Sequence, residues 1–259
     1  MSRHDHTSEE KPYRHMDVAL RFLTTFPFPW RGQVTGQGIG GALPYFPLVG
    51  GVIGITLVGV GRVAALFWSP LVQAALIVVA WGIVTGGLHL DGLSDTFDAV
   101  MSWRPRERKL EIMKDSRIGV MGALALSSIL LLKLSLLADA GPNWWRATLV
   151  APILGRWAMI YAITRFPAAR TEGLGSSVQG RLRLAHLAGI SAVVALPVIG
   201  IAGVSGMCGF LLAGTGAHIL GRWWTHELGG LTGDTYGAIC EIIEVIALAA
   251  VTAMIRISV

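Results

Sequence analysis

The sequence predicts an all-α, polytopic integral membrane protein: a helical bundle of about seven transmembrane helices, preceded by a helix lying at the interface. Three observations predict it. The chain is 53% apolar and only 14% charged, against about 25% charged in ordinary soluble domains, and its mean hydropathy is +0.60. Apolar stretches near the roughly 20 residues that a helix needs to cross a bilayer recur along the chain. Basic residues gather in every second loop between them.

The elements follow in order. Residues 1–15, MSRHDHTSEEKPYRH, read as a disordered polar tail with no secretory signal, and His4, His6 and His15 as solvated side chains rather than metal ligands. Residues 16–259 read as a single transmembrane domain that carries the chemistry. Met16 to Phe26 places Val18, Ala19, Phe22, Leu23 and Phe26 on one helical face, and the prolines of PFPW end it, so this segment is expected to lie on the membrane surface. The spans are expected at 44–67, 71–90, 118–138, 147–163, 186–203, 205–221 and 237–257.

With the N-terminus in the cytoplasm, the inside loops are 91–117, 164–185 and 222–236. The first holds Arg104, Arg106, Arg108, Lys109, Lys114 and Arg117, and the second Arg165, Arg170, Arg181 and Arg183. The outside connections are short and nearly free of cations. This asymmetry accounts for a pI near 9.6 without any nucleic-acid partner. Cys208 and Cys240 lie in apolar runs and suggest neither disulfide nor zinc site.

Chemistry enters where an apolar segment ends. HLDGLSDTFDA, residues 89–99, reads as helix continuing the span before it. At 100° per residue Asp91, Asp95 and Asp98 fall within about 60° of arc, forming one acidic stripe. Clustered carboxylates repel one another unless cations neutralise them, and hard divalent cations such as Mg²⁺ take oxygen ligands. A second acidic stripe lies in GGLTGDTYGAICEIIE: Asp234 and Glu241 are i and i+7, and Glu244 is one turn further. Two spans entering from one side with such stripes suit two Mg²⁺ ions on a diphosphate. The alternative for Glu241 and Glu244 is pairing with arginines.

Further candidates are weaker. Lys114, Asp115, Ser116 and Arg117 suit phosphate oxygens or a solvated face. The glycine-rich loop TEGLGSSVQG, with Glu172, Gly173 and Gly175, reads as a phosphate cradle or a plain connector. Lys133 and Arg156 sit inside spans, where a charge needs a partner or a wet cavity. His89 adjoins the first stripe and reads as base, ligand or hydrogen-bonded structural histidine.

GGLHLDGLSDTFDA, then EIMKDSRIG, EGLG and GGLTGDTYGA with two later glutamates, together resemble the cobalamin synthase family, also called adenosylcobinamide-GDP ribazoletransferases. RFLTTFPFPW, YFPLVG, Lys133 and GRWA add to the resemblance, which runs from about residue 16 to 245. The chain departs from the family's pattern at Thr25, Ser94, Ala99, Val120 and Met121, none of them in the acidic stripe. The resemblance implies a Mg²⁺-dependent membrane transferase of the bacterial inner membrane, with its site facing the cytoplasm. Its donor would be adenosylcobinamide-GDP and its acceptor α-ribazole or the 5′-phosphate, with GMP leaving. Asp91, Asp95, Asp98, Asp234, Glu241 and Glu244 are then expected to bind metal, with Asp98 or His89 serving the attacking hydroxyl. Lys114, Asp115, Ser116, Arg117, Lys133, Arg156, Glu172, Gly173, Gly175, Thr232 and Thr235 are expected around the substrates. A homo-oligomer, or association with enzymes of the same pathway, stays open. Rival readings are a prenyl-diphosphate transferase, a CDP-alcohol phosphotransferase and a divalent-cation transporter, whose sites lie at the bilayer midplane within repeats not seen here.

Overall fold

The computed structural model describes residues 12–27, 36–171 and 174–257. It is helical throughout, apart from one parallel bridge between Ala168 and Leu231. In chain order the helices are α1 (Pro12–Leu23), α2 (Gly36–Ala42), α3 (Phe46–Ala64), α4 (Pro70–Thr85), α5 (Leu88–Val100), α6 (Arg106–Ile112), α7 (Val120–Asp139), α8 (Trp144–Arg165), α9 (Leu174–Val178), α10 (Leu184–Leu228) and α11 (Gly233–Ile257).

Five stretches are long and apolar enough to cross a membrane, and α4 with α5 passes as a sixth if that bent pair is one span. The core lies around α8 and α11, whose apolar windows are 83% and 72% buried. Outer faces carry exposed Ile55, Val79, Leu131 and Leu196, the side chains that lipid accommodates. Glycines set the closest crossings. Gly50 and Gly54, spaced as a small-xxx-small pair, meet α8 so closely that a Cβ would stand 2.4 Å from the Pro152 carbonyl and 2.8 Å from that of Leu149. Gly155 gives the same intimacy between α8 and the Cys240–Glu244 turn of α11.

The fifth and sixth spans are the two arms of α10, folded back at Gly203, the boundary expected between them; there φ is 60° and ψ −136°, a conformation closed to residues with a Cβ. Trp157 touches both arms: its Nε1 donates to Ser191 Oγ at 3.0 Å, and its ring centroid lies 4.4 Å from that of Phe210. Next, α1 begins at Pro12, inside the stretch expected to be tail, and ends at Leu23 before Pro27. Its apolar stripe is spent on the bundle: Ala19 and Leu23 are fully buried and Phe22 stacks on Phe46, with centroids 6.0 Å apart. Residues 1–11 of the expected tail lie outside the described residues.

A second correction shapes the site. The acidic segment does not continue the span before it. α4 ends at Thr85, and Gly86 and Gly87, with φ of 62° and 67°, take two consecutive left-handed residues. Only glycine adopts these without cost. The chain turns by 90°, so α5 leaves the axis of α4 and runs across the end of the bundle. Thr25 holds this corner, its N–H donating to Val84 O at 2.8 Å and its hydroxyl to Ile83 O at 3.0 Å.

Candidate active site

One end of the bundle gathers α5, α6 and the links that precede α9 and α11. Leu231 N–H donates to Pro167 O and Ala169 N–H to Leu231 O, both at 2.8 Å. Arg106 donates to Leu228 O at 2.7 Å and to Ala169 O at 3.0 Å, Arg170 donates to Leu110 O at 2.7 Å, and Lys109 pairs with Glu227. The cations that sequence reading counted as topology markers are also the staples of this end.

Here α5 crosses α11. A Cβ on Gly92 would stand 2.7 Å from Asp234 O, and one on Gly237 would stand 3.2 Å from His89 Cα. These close approaches bring Asp95 within electrostatic reach of Asp91, Asp234 and Asp98. Asp91 is exposed, Asp95 and Asp234 half-buried. Four carboxylates around one crossing repel each other, a cost that a bound cation relieves.

Asp98 has a different occupation from the other three. One of its oxygens accepts from Gly119 N–H at 2.7 Å and the other from Gly122 N–H at 2.8 Å. It caps the otherwise unpaired N–H groups that open α7. Beside the expected role as base or metal ligand, Asp98 thus has a structural one, each of its oxygens accepting one backbone N–H. The same cap draws the Lys114–Arg117 segment to the acidic end. Lys114 and Ser116 are exposed there, while Arg117 chelates Asp115, with 2.6 Å to Oδ2. Those bonds from Arg117 hold the Asp115 carboxyl down at about 2.

Glu241 and Glu244 are also corrected. They do not join the aspartates. Lys133 Nζ lies 2.7 Å from Glu241 Oε2 and pairs with Glu244 as well, while Arg156 takes the other oxygen of Glu244. Lys133 also sits over the ring of Trp81, 4.1 Å from its centroid. All four charged side chains are buried, and their charges cancel. Carboxylates in so dry a place are held by cations within the protein, so Lys133 and Arg156 are not free for phosphate. Pairing is observed, though not with arginines at the interface: the partners are Lys133 of α7 and Arg156 of α8, in the bundle's interior.

Thr232 and Thr235 are corrected too. Thr232 N–H donates to Thr235 Oγ1 at 2.8 Å and Thr235 N–H to Thr232 Oγ1 at 3.3 Å, a reciprocal box that opens α11. Both are buried, and Thr232 also reaches Asp234 Oδ2 at 3.4 Å. They position the aspartate rather than face a substrate. Gly175 lies in the short helix α9, and Glu172 and Gly173 lie outside the described residues.

Two residues escaped the sequence reading. Arg170 stands within electrostatic reach of Asp234; it was noticed only as the flank of a loop. Tyr236 lines a cavity of about 200 Å³ beside Asp91 and Asp234, and no polar pattern marks it in TGDTYGA. Among the described residues no group of three or more His, Cys, Asp or Glu is gathered so as to hold a metal ion by itself. Mg²⁺ commonly takes only one or two protein carboxylates and completes its shell with water and substrate phosphate, a pattern that Asp91, Asp95 and Asp234 fit.

Comparison with known proteins identifies relatives along nearly the whole chain. The family model described as cobalamin-5-phosphate synthase matches residues 15–252. A Roseiflexus protein named adenosylcobinamide-GDP ribazoletransferase is 53% identical over 97% of this chain and 96% of its own. Proteins of the same name from Herpetosiphon aurantiacus and Desulforamulus reducens are 44% and 40% identical, over 94% and 90% of this chain and 98% and 93% of theirs. No solved structure matches. The chain belongs to the cobalamin-5-phosphate synthase family.

Proposed function

We propose that this protein transfers the adenosylcobinamide phosphate group of adenosylcobinamide-GDP to α-ribazole or its 5′-phosphate, releasing GMP. A ribose hydroxyl oxygen forms the new bond to phosphorus, the bond from phosphorus to the GMP oxygen breaks, and the hydroxyl proton passes to solvent water as GMP leaves as the anion. The observation that carries the reading is the α5–α11 crossing, which sets Asp91, Asp95 and Asp234 together at one end of a membrane bundle. Asp91, Asp95 and Asp234 would hold Mg²⁺. When bound, the ion neutralises charge on the diphosphate and so supports its cleavage.

The chain's own groups supply the rest. Lys114 is exposed and, beside Arg117, offers cationic charge to phosphate. Arg170, close to Asp234, tempers the carboxylate charge that would otherwise repel an anionic substrate. Asp98, capping α7, keeps this segment fixed relative to the aspartates. The site is read as facing the cytoplasm of a bacterial inner membrane, because the loops at its end carry the basic residues.

The test uses purified protein in lipid, supplied with both substrates and Mg²⁺. GMP and cobamide are expected to appear together, and to vanish with EDTA or with Asp95→Asn. Transfer that continues in full without divalent ions refutes the metal assignment, and a folded protein that releases no GMP refutes the reaction.

A further inference from the structure

Beside Asp91 and Asp234 lies the cavity of about 200 Å³, walled by Phe22, Ile39, Phe46 and Ile163. Pockets that enclose drug-sized ligands measure about 300–1,000 Å³, so this one takes a fragment: a single ring system with part of a sugar. Four polar side chains line it: the carboxylates of Asp91 and Asp234 at one side, and His89 and Tyr236, each only 2% exposed. Neither His89 Nε2 nor the Tyr236 hydroxyl has a hydrogen-bond partner among the described residues. Buried polar groups without partners are costly and rare. Two of them on one cavity wall describe a place where a ligand supplies what the protein lacks.

The chemistry of that ligand can be read further. Arg156 Nη2 lies 3.4 Å from His89 Nδ1. A guanidinium only donates, so the ring nitrogen facing it carries the lone pair and the ring proton sits on Nε2. His89 therefore carries a donor N–H on a ring that lines the cavity. That removes it from the role of proton acceptor, which sequence reading had left open. The occupant must offer an acceptor to His89 and a polar atom to the Tyr236 hydroxyl, and have an otherwise apolar body. A corrinoid is too large. A guanine has an edge of N–H donors that only Asp91 and Asp234 could accept here, and the transfer proposed above assigns those carboxylates to the metal. The base of a ribazole is an apolar bicycle, and its ribose carries hydroxyls.

We infer that this cavity is the acceptor subsite, with the base against the apolar wall of Phe22, Ile39 and Phe46 and the ribose hydroxyls toward His89 and Tyr236, next to Asp91 and Asp234. The inference rests on the transferase reading above for the identity of its ligand. It makes His89 and Tyr236 acceptor-binding residues, and α1 and α2 part of the specificity wall.

The experiment is equilibrium dialysis of α-ribazole against the protein in lipid nanodiscs, with EDTA and without donor. The wild type is expected to bind. Tyr236→Phe is expected to weaken binding roughly three- to tenfold, the worth of one neutral hydrogen bond. Ile39→Trp, which fills the cavity, is expected to weaken it by more than about tenfold, since an overpacked site must also deform. Guanosine is expected not to compete. Undiminished binding by both variants overturns the inference, as does displacement by guanosine or a folded wild type that does not bind. If Ile39→Trp fails to fold, the isosteric Tyr236→Phe decides alone. Retained α-ribazole binding with no GMP release refutes the transfer reaction and leaves the subsite standing. GMP release with an acceptor KM unmoved by Tyr236→Phe does the reverse.

Discussion

Lys133→Met distinguishes a structural lysine from a phosphate ligand. Lys133 reaches two glutamates at once, lying 2.7 Å from Glu241 and bonded to Glu244, and it covers the face of Trp81. With Arg156 on Glu244, the four charges sum to zero. Replacing the ammonium by a thioether of similar reach leaves one carboxylate charge uncompensated in a dry interior. Breaking a buried pair from one side costs about 3–5 kcal/mol. At about 2–4 °C per kcal/mol for chains of some 150–250 residues, the melting temperature should fall by roughly 6–20 °C. The assay is thermal unfolding in one detergent at one scan rate, beside the double variant Lys133→Met with Glu241→Gln. The double variant restores neutrality and is expected to recover more than half of the loss. A single variant that melts within about 2 °C of wild type yet has lost transfer refutes the structural assignment, because Lys133 would then be acting on substrate. A double variant no better than the single refutes the charge argument.

Two further predictions separate roles within the site. Asp98→Ala removes the cap of α7 and is expected to cost about 0.5–2 kcal/mol of stability. Asp95→Asn, which relieves repulsion, should melt no lower than wild type while losing transfer; equal melting losses in the two would contradict the division of labour between them. Gly92→Ala pushes a methyl to 2.7 Å from Asp234 O. It should cost about 1–3 kcal/mol and cut transfer at least tenfold, whereas Gly59→Ala, with nothing within 4 Å of the new methyl, should do neither; unchanged turnover in Gly92→Ala would show that the crossing distance does not matter.

The acidic stripe, the membrane class and the family were legible because they are written in local spacing and composition. Asp91, Asp95 and Asp234 could be picked out for the same reason: unpaired carboxylates at the edge of apolar segments have few bland explanations. What was not legible depends on which helices meet. Glu241 shares a helical face with Asp234, and that periodicity suggested a shared metal. Partners on α7 and α8 decide otherwise, and no property of α11 announces them. Asp98 looks identical to its neighbours until the start of α7 is seen beside it. Gly86 and Gly87 did carry a local signal, since paired glycines at the end of an apolar run commonly stop a helix. The smooth continuation of polar and apolar residues beyond them hid it. Tyr236 and the cavity had no signal at all, being made from seven helices, many of them distant in sequence.

The cluster of Lys133, Arg156, Glu241 and Glu244 has a consequence for how the protein is made. Each helix carrying one of these charges is a poorer candidate for spontaneous partition into lipid, by about 2.5–3.5 kcal/mol per Lys, Arg or Asp at mid-depth. Ribosomal synthesis delivers the two cations first, on α7 and α8, and the two anions last, on α11. Until α11 arrives, both earlier helices hold unmatched charge; until they are in place, α11 has nowhere dry to put its glutamates. Arrival of α11 and closure of the cluster are thus one event. That event seats Asp234 against α5, so a nascent chain lacks the site until α11 has docked.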